Sequence, residues 1–297
     1  MTVNTVSLGS PFRWLAEAFA MCRAHTRVLF GAASMLFLVA LLPSVAQILV
    51  ETALQPSVAV RGLIQAVFTV LALLVFPPVV GGFYRIVHAL HEGRPARASD
   101  LFALFQDGPA ARRLIVTNLI FVTVSLLVII GLAAVVGGQE LFEFLRAAAV
   151  LKPGATELPP LPDGMLVLIS VLMIVALLIM TAQGLATAEV AVTGRSPLAA
   201  AAAGFKLALR NLGTLLLFYL PVAVIAFVGF MILALVAALV GGMLSLASPL
   251  LAALVLVPLG MLFVLVLYAL MFTFFYHAWR DTLGAGVAVP PEHQIAV

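Results

Sequence analysis

The stretch MLVLISVLMIVALLIMTAQGLAT, residues 165–187, contains no Asp, Glu, Lys or Arg. At about 1.5 Å per residue, a helix of that length spans the roughly 30 Å hydrocarbon core of a bilayer. Working outward, Val28–Val50, Leu63–Tyr84, Leu114–Val136, Thr214–Val240 and Leu251–Phe275 are equally free of charge, and Met165–Thr187 falls fourth in chain order. With 64% hydrophobic and 9% charged residues, the chain has too little charge to cover a soluble globule. The expected fold is all-α: a polytopic membrane protein of six transmembrane helices, one domain over residues 1–283 and a flexible cytoplasmic tail over 284–297. Leu36–Leu42 followed by Pro43-Ser44-Val45-Ala46-Gln47 imitates a secretory signal and its cleavage site. The run starts behind 27 residues and continues past that site, so it reads as a retained first span.

The 15 Lys and Arg fall between the spans, and their distribution sets an orientation. Twelve lie on the side that holds the N-terminus, against only Arg61, Arg146 and Lys152 on the other. By the positive-inside rule both termini are cytoplasmic. A net charge of +3 carried beside apolar spans points to anionic lipid headgroups as partners and not to nucleic acid. Cys22 is the one cysteine, so no intrachain disulfide forms, and its apolar neighbours make it a packing thiol.

The cytoplasmic connections carry amphipathic segments. Ser10-Pro11 reads as a cap with proline at the first helical position. Phe12, Leu15, Phe19 and Cys22 then recur at helical spacing, which predicts a helix in the headgroup plane with Trp14 as an interfacial anchor. Ser99-Asp100 opens a shorter segment through Phe105, and Ser196-Pro197 opens a third through Arg210. Each precedes an outward and a returning span. Either a unit of interfacial helix plus transmembrane hairpin is used three times, or capping chemistry alone repeats the Ser-Pro pair. On the opposite side, a short helix is expected over Gln139–Val150, followed by a proline-rich extended stretch.

No phosphate-binding loop, zinc-protease motif or nucleophile elbow occurs, so neither an enzyme nor a cofactor is expected. His88 and His91 lie three apart at the cytoplasmic end of the second span. They read as a solvated helix end, with a metal pair as the alternative. Glu189 is the acidic residue nearest the membrane interior; a structural ion pair with Arg85 or Arg280 is the first reading and proton coupling the second. Gln47, Gln65, Asn118 and Gln183 are expected to bond helix to helix. Ala234, Ala238 and Gly242 form a small-residue row suited to close packing, against this chain or a second copy. Pro77-Pro78, ahead of Gly81-Gly82, removes two successive amide donors and predicts a broken second span.

Trp14-Leu15-Ala16-Glu17-Ala18-Phe19, Gly81-Gly82-Phe83-Tyr84-Arg85 leading to Gly93-Arg94-Pro95 and Ser99-Asp100-Leu101-Phe102, and Ser196-Pro197-Leu198-Ala199-Ala200 through Leu209-Arg210-Asn211 carry a resemblance. The chain resembles uncharacterised six-span proteobacterial inner-membrane proteins, YciC-like and similar to the membrane domain of some glycerophosphodiesterases. The resemblance implies an all-helical inner-membrane protein, without the phosphodiesterase activity because that domain is absent from this sequence. The expectation is non-enzymatic support of envelope or lipid organisation, alone or with a homo-oligomeric or other membrane-protein partner. The alternative is a small-molecule transporter or channel with a site at the second span.

Overall fold

The computed structural model describes residues 7–138, 143–144, 146, 164–243 and 248–284. Its elements are helices: α1 (Ser10–Ala24), α2 (Thr26–Leu54), α3 (Val58–His91), a 3-10 helix (Ala98–Phe105), α4 (Gly108–Leu132), α5 (Met165–Thr193), α6 (Pro197–Arg210), α7 (Leu212–Val236) and α8 (Pro249–Trp279). Single π turns prolong α4, α7 and α8 over Ala133–Gly137, Ala237–Gly241 and Arg280–Gly284. Helices α2, α3, α4, α5, α7 and α8 are each long and apolar enough to cross a membrane, so the protein is an all-α polytopic membrane protein. The helix expected over Gln139–Val150 lies outside the described residues except for Glu143, Phe144 and Arg146, as do the proline-rich stretch after it and the tail from 285 onward.

The contacts between elements form a cycle of three. Each short helix packs on both spans of the hairpin before it: the 3-10 helix on α2 and α3, α6 on α4 and α5, and α1 on α7 and α8. The returning spans α3, α5 and α8 also pack on one another pairwise and form the centre. Each first span touches its own returning span and the preceding one, so α2 meets α8, α4 meets α3 and α7 meets α5.

Sequence register supports the cycle. The offset that carries Ser10 to Ser196 also carries Trp14 to Ala200, Ala18 to Gly204 and Cys22 to Ala208, all buried. It carries the break after α1 at His25 (φ −121°, ψ 36°) to the break after α6 at Asn211 (φ −115°, ψ 28°). Capping chemistry alone does not reproduce a buried stripe and a matching helix break at one offset, so the unit is structurally repeated. The middle copy is shortened to the 3-10 helix.

Three expectations change. In α1 the buried stripe is Ser10, Pro11, Trp14, Ala18 and Cys22, while Phe12 and Phe19 are exposed. Trp14 is a core residue, 1% exposed, and not an interfacial anchor. Second, α3 runs without a break from Val58 to His91 with Pro77 and Pro78 buried inside it. The missing donors leave only the carbonyls of Leu73 and Leu74 without i+4 partners, and the flanking turns hold the helix. Third, of the two neighbours open to the Ala234, Ala238 and Gly242 row, this chain is ruled out: the row is exposed, and α7 meets α8 through Gly229 and Gly241, where an added Cβ would crowd Phe263 and Leu256.

Packing is concentrated at the end where the short helices lie, here the cation-rich end. The core runs through Leu29–Leu36 of α2, Pro77–Leu90 of α3, Ala110–Phe121 of α4, Ile179–Val192 of α5 and Ala269–Trp279 of α8. In the far half, among the described residues, only Leu168, Gly241 and Ala252 are buried. Close backbone approach holds the packed half together. A Cβ on Gly82 would strike the Leu101 carbonyl of the 3-10 helix, and one on Gly204 would strike the Ala182 carbonyl of α5. Overpacking of this kind costs about 1–3 kcal/mol. Gly82→Val and Gly204→Val should therefore lower the thermal midpoint in detergent, whereas Gly62→Ala, with no atom near its added methyl, should leave it unchanged.

Candidate functional site

The three central spans end on glycine. Gly93 after α3 and Gly194 after α5 both have φ 70°, a conformation that glycine adopts without a Cβ penalty, and Gly284 closes the turn after α8. The residues five positions before these glycines are His88, Glu189 and Trp279, and they meet. The Trp279 indole Nε1 donates to Glu189 Oε2 at 2.7 Å, and the Trp279 and His88 rings pack edge to face at 6.3 Å. Glu189 is 1% and Trp279 3% exposed.

Glu189 is an ion-paired structural carboxylate, but its cation is Arg195 at 3.4 Å and neither Arg85 nor Arg280. The short loop after Gly194 folds Arg195 back over its own helix. Arg85 instead donates from Nε to the Ala191 carbonyl at 2.7 Å and lies 3.6 Å from Asp107 Oδ2. Arg113 donates to the Gly194 carbonyl at 2.8 Å. Two cations from α3 and α4 thus cap the carbonyl-rich end of α5, where the helix dipole favours positive charge.

His88 and His91 do not form a simple solvated helix end. His88 Nδ1 shares a 2.9 Å hydrogen bond with the Tyr276 hydroxyl, and its Nε2 lies 3.2 Å from Glu92 Oε1. His91 is exposed and contacts the Arg280 guanidinium at 2.6 Å. Beside them, Arg280 reaches Glu17 Oε2 at 3.2 Å, and Asp281 accepts from the Trp14 indole at 2.8 Å and from Arg13 at 2.5 Å. His277, 2% exposed, has Nδ1 at 2.9 Å from Glu17 Oε2, outside hydrogen-bond alignment. These contacts close the ring by fastening α1 to α8. No three His, Cys, Asp or Glu among the described residues are arranged to hold a metal ion.

Pro77 and Pro78 are buried in the wall of the core, one turn from the close approach at Gly81 and Gly82. Cys22 is a free, buried thiol with Sγ 3.8 Å from Thr273 Oγ1, and burial pushes its pKa up, which keeps it protonated and unreactive. The amides pair within hairpins: Gln183 donates to Asn118 at 2.9 Å between α4 and α5, and Gln47 donates to Gln65 between α2 and α3. Sequence reasoning missed Trp279, Tyr276, Glu17 and Asp281. The signal for Trp279 was its spacing to Gly284, which repeats that of His88 to Gly93 and Glu189 to Gly194.

The cluster is chemically a latch. Its acids face indoles and guanidinium groups, and its aromatic residues fill the axis. No family model, curated protein or solved structure matches this chain.

Glu189 sets the scale of the latch. Removing one partner of a buried pair costs about 3–5 kcal/mol, and the lower end applies here because Arg195 is a third exposed and can turn to water. Glu189→Leu should lower the thermal midpoint sharply and leave the Trp279 indole unpaired. Glu189→Gln keeps an acceptor for that indole and should recover most of the loss. Intrinsic Trp fluorescence read with the melt separates the two outcomes.

Proposed function

We propose that the protein is a non-enzymatic bacterial inner-membrane protein, with both termini cytoplasmic, that organises lipid by gathering anionic headgroups at its cytoplasmic rim. The observation that carries this reading is the ring of short helices at the cation-rich end. Each one buries a stripe against the preceding hairpin and exposes large apolar side chains: Phe12 and Phe19 on α1, Phe102 and Phe105 on the 3-10 helix, Leu198 and Leu209 on α6. Beside them stand Arg23, Arg27, Arg112, Lys206 and Arg210, all exposed and none engaged by an acid among the described residues. Exposed apolar side chains alternating with free cations fit the boundary between acyl chains and phosphate groups.

The transport reading fits less well. A solute following the axis would meet Phe83, Tyr84 and Phe272, whose rings lie 5.2 and 5.9 Å apart in the packed half. An enzymatic reading would need a reactive group open to substrate, and the Glu189 and His88 side chains are already engaged by Trp279 and Tyr276.

Each Lys or Arg at an anionic membrane surface contributes about 1 kcal/mol. Lys206→Gln with Arg210→Gln should therefore reduce retention of phosphatidylglycerol, measured by native mass spectrometry from mixed vesicles, roughly thirtyfold. Unchanged retention in a variant of unchanged thermal midpoint would remove the collar as a lipid-gathering surface.

A further inference from the structure

Hairpin α2–α3 changes character along its length while keeping its inward face. Eighteen residues make five whole turns at 3.6 residues per turn. Gln65 therefore shares the face of Phe83, and Thr69 that of Val87, both 0% exposed in the packed half. On α2, Gln47 shares the face of Leu29 and Glu51 that of Ala33, also 0% exposed. Phe83 packs on Phe272 of α8 at 5.2 Å, so this is the face that α3 turns toward the bundle. Five turns farther out, the same faces carry two amides, a carboxylate and a hydroxyl.

These groups form one hydrogen-bonded strip. Arg61 Nε lies 3.5 Å from Glu51 Oε2, Gln47 donates to Glu51 Oε1 at 2.8 Å and to Gln65, and Gln65 donates to Thr69 Oγ1 at 3.4 Å. Gln65 and Thr69 are nevertheless exposed. Thr69 lies eleven residues into α3, about 16 Å along its axis, whereas a headgroup layer is on the order of 6 Å deep. Within the strip, Gln47 Oε1, one Gln65 N–H and the Thr69 hydroxyl proton keep no partner among the described residues, and leaving them in hydrocarbon is costly.

We propose that the far half of hairpin α2–α3 is the polar wall of a recess that seats the headgroup of a zwitterionic amphiphile from the far leaflet. The charge pattern selects the ligand class. Arg61 and Glu51 at the mouth form a neutral pair, matched by a phosphate and an ammonium on one molecule, and the amides and hydroxyl below supply neutral hydrogen bonds. At the same depth α8 exposes Leu254 and Val257, an apolar surface for the chains. The recess is independent of the collar, since it lies at the opposite end and selects a zwitterion.

The test uses the full chain with Cys22→Ala, reconstituted in phosphatidylglycerol vesicles, whose headgroup carries no ammonium to fill the seat. Thr69→Cys should react with a charged, membrane-impermeant maleimide several-fold faster than Leu71→Cys, which lies on the opposite face of α3. Equal rates would mean that the strip faces lipid and would overturn the recess. In parallel, native mass spectrometry from vesicles of phosphatidylethanolamine and phosphatidylglycerol reads the occupant. Glu51→Gln with Arg61→Gln should lower phosphatidylethanolamine retention on the order of a hundredfold, the loss expected for two charge-assisted hydrogen bonds, and leave phosphatidylglycerol retention unchanged. Gln65→Leu with Thr69→Val gives a second reading in a variant whose new side chains suit an apolar surrounding. Fast labelling with unchanged phosphatidylethanolamine retention in both variants would leave a water-filled recess and overturn the headgroup seat. Loss of phosphatidylglycerol alone in the Lys206/Arg210 variant bears on the collar and not on this site.

Discussion

The contact on which the structure depends is the approach of each short helix to the returning span of the hairpin before it. Within a membrane, burying apolar side chains gives helices little reason to associate, because lipid tails are as apolar as leucine. Association then rests on close van der Waals packing and polar contacts, and both need the backbones to come near. Gly82 lets the Leu101 carbonyl reach α3, Gly204 admits the Ala182 carbonyl to α6, and Ala18 holds the equivalent place in α1. Repeated three times, this contact closes a ring and gathers α3, α5 and α8 at its centre. The meeting of His88, Glu189 and Trp279 follows from that geometry.

The same constraint explains why the molecule is packed at one end. Buried positions cluster where the short helices, the helix-ending glycines and the capping arginines lie. Beyond them, apart from the α2–α3 strip, the described spans share few polar contacts to draw them together, and their apolar side chains are satisfied by lipid. Exposure of Leu254 or Phe227 is thus no defect in this solvent.

The spans were legible because the rule that sets them, exclusion of charge over twenty residues, acts on each segment alone. The repeat was legible in outline from Ser10-Pro11 and Ser196-Pro197, since a helix start leaves a local mark. What escaped was decided between segments. In α1, Phe12, Leu15, Phe19 and Cys22 recur with the same period as Trp14, Ala18 and Cys22, so periodicity could not say which stripe the protein covers. Glu189 and Arg195 are six residues apart, yet pairing with Arg85 was equally open until α5 was seen to end at Gly194. Pro77-Pro78 broke a local rule that the surrounding core overrode, because both rings are buried where neighbouring helices hold the backbone.

The three hairpins are joined at different depths, which ranks their freedom to move. Hairpin α4–α5 is tied by Asn118 and Gln183 near the cation-rich end, and α2–α3 by Gln47 and Gln65 near the far end in addition to its packed base. Hairpin α7–α8 has glycine-to-side-chain contacts at Gly229 and Gly241, and α7 is also tied to α5 by the 2.6 Å Thr181–Tyr219 hydroxyl bond. That bond lies two turns from the start of α7, and Val222–Val240 beyond it has no buried residue. Beyond that bond, α7 is held in the far half by the approach of Gly229 to Phe263 and of Gly241 to Leu256. Hairpin α2–α3 is joined both at its packed base and across its far strip, so the shape of the strip is set within the hairpin and does not depend on the spans around it.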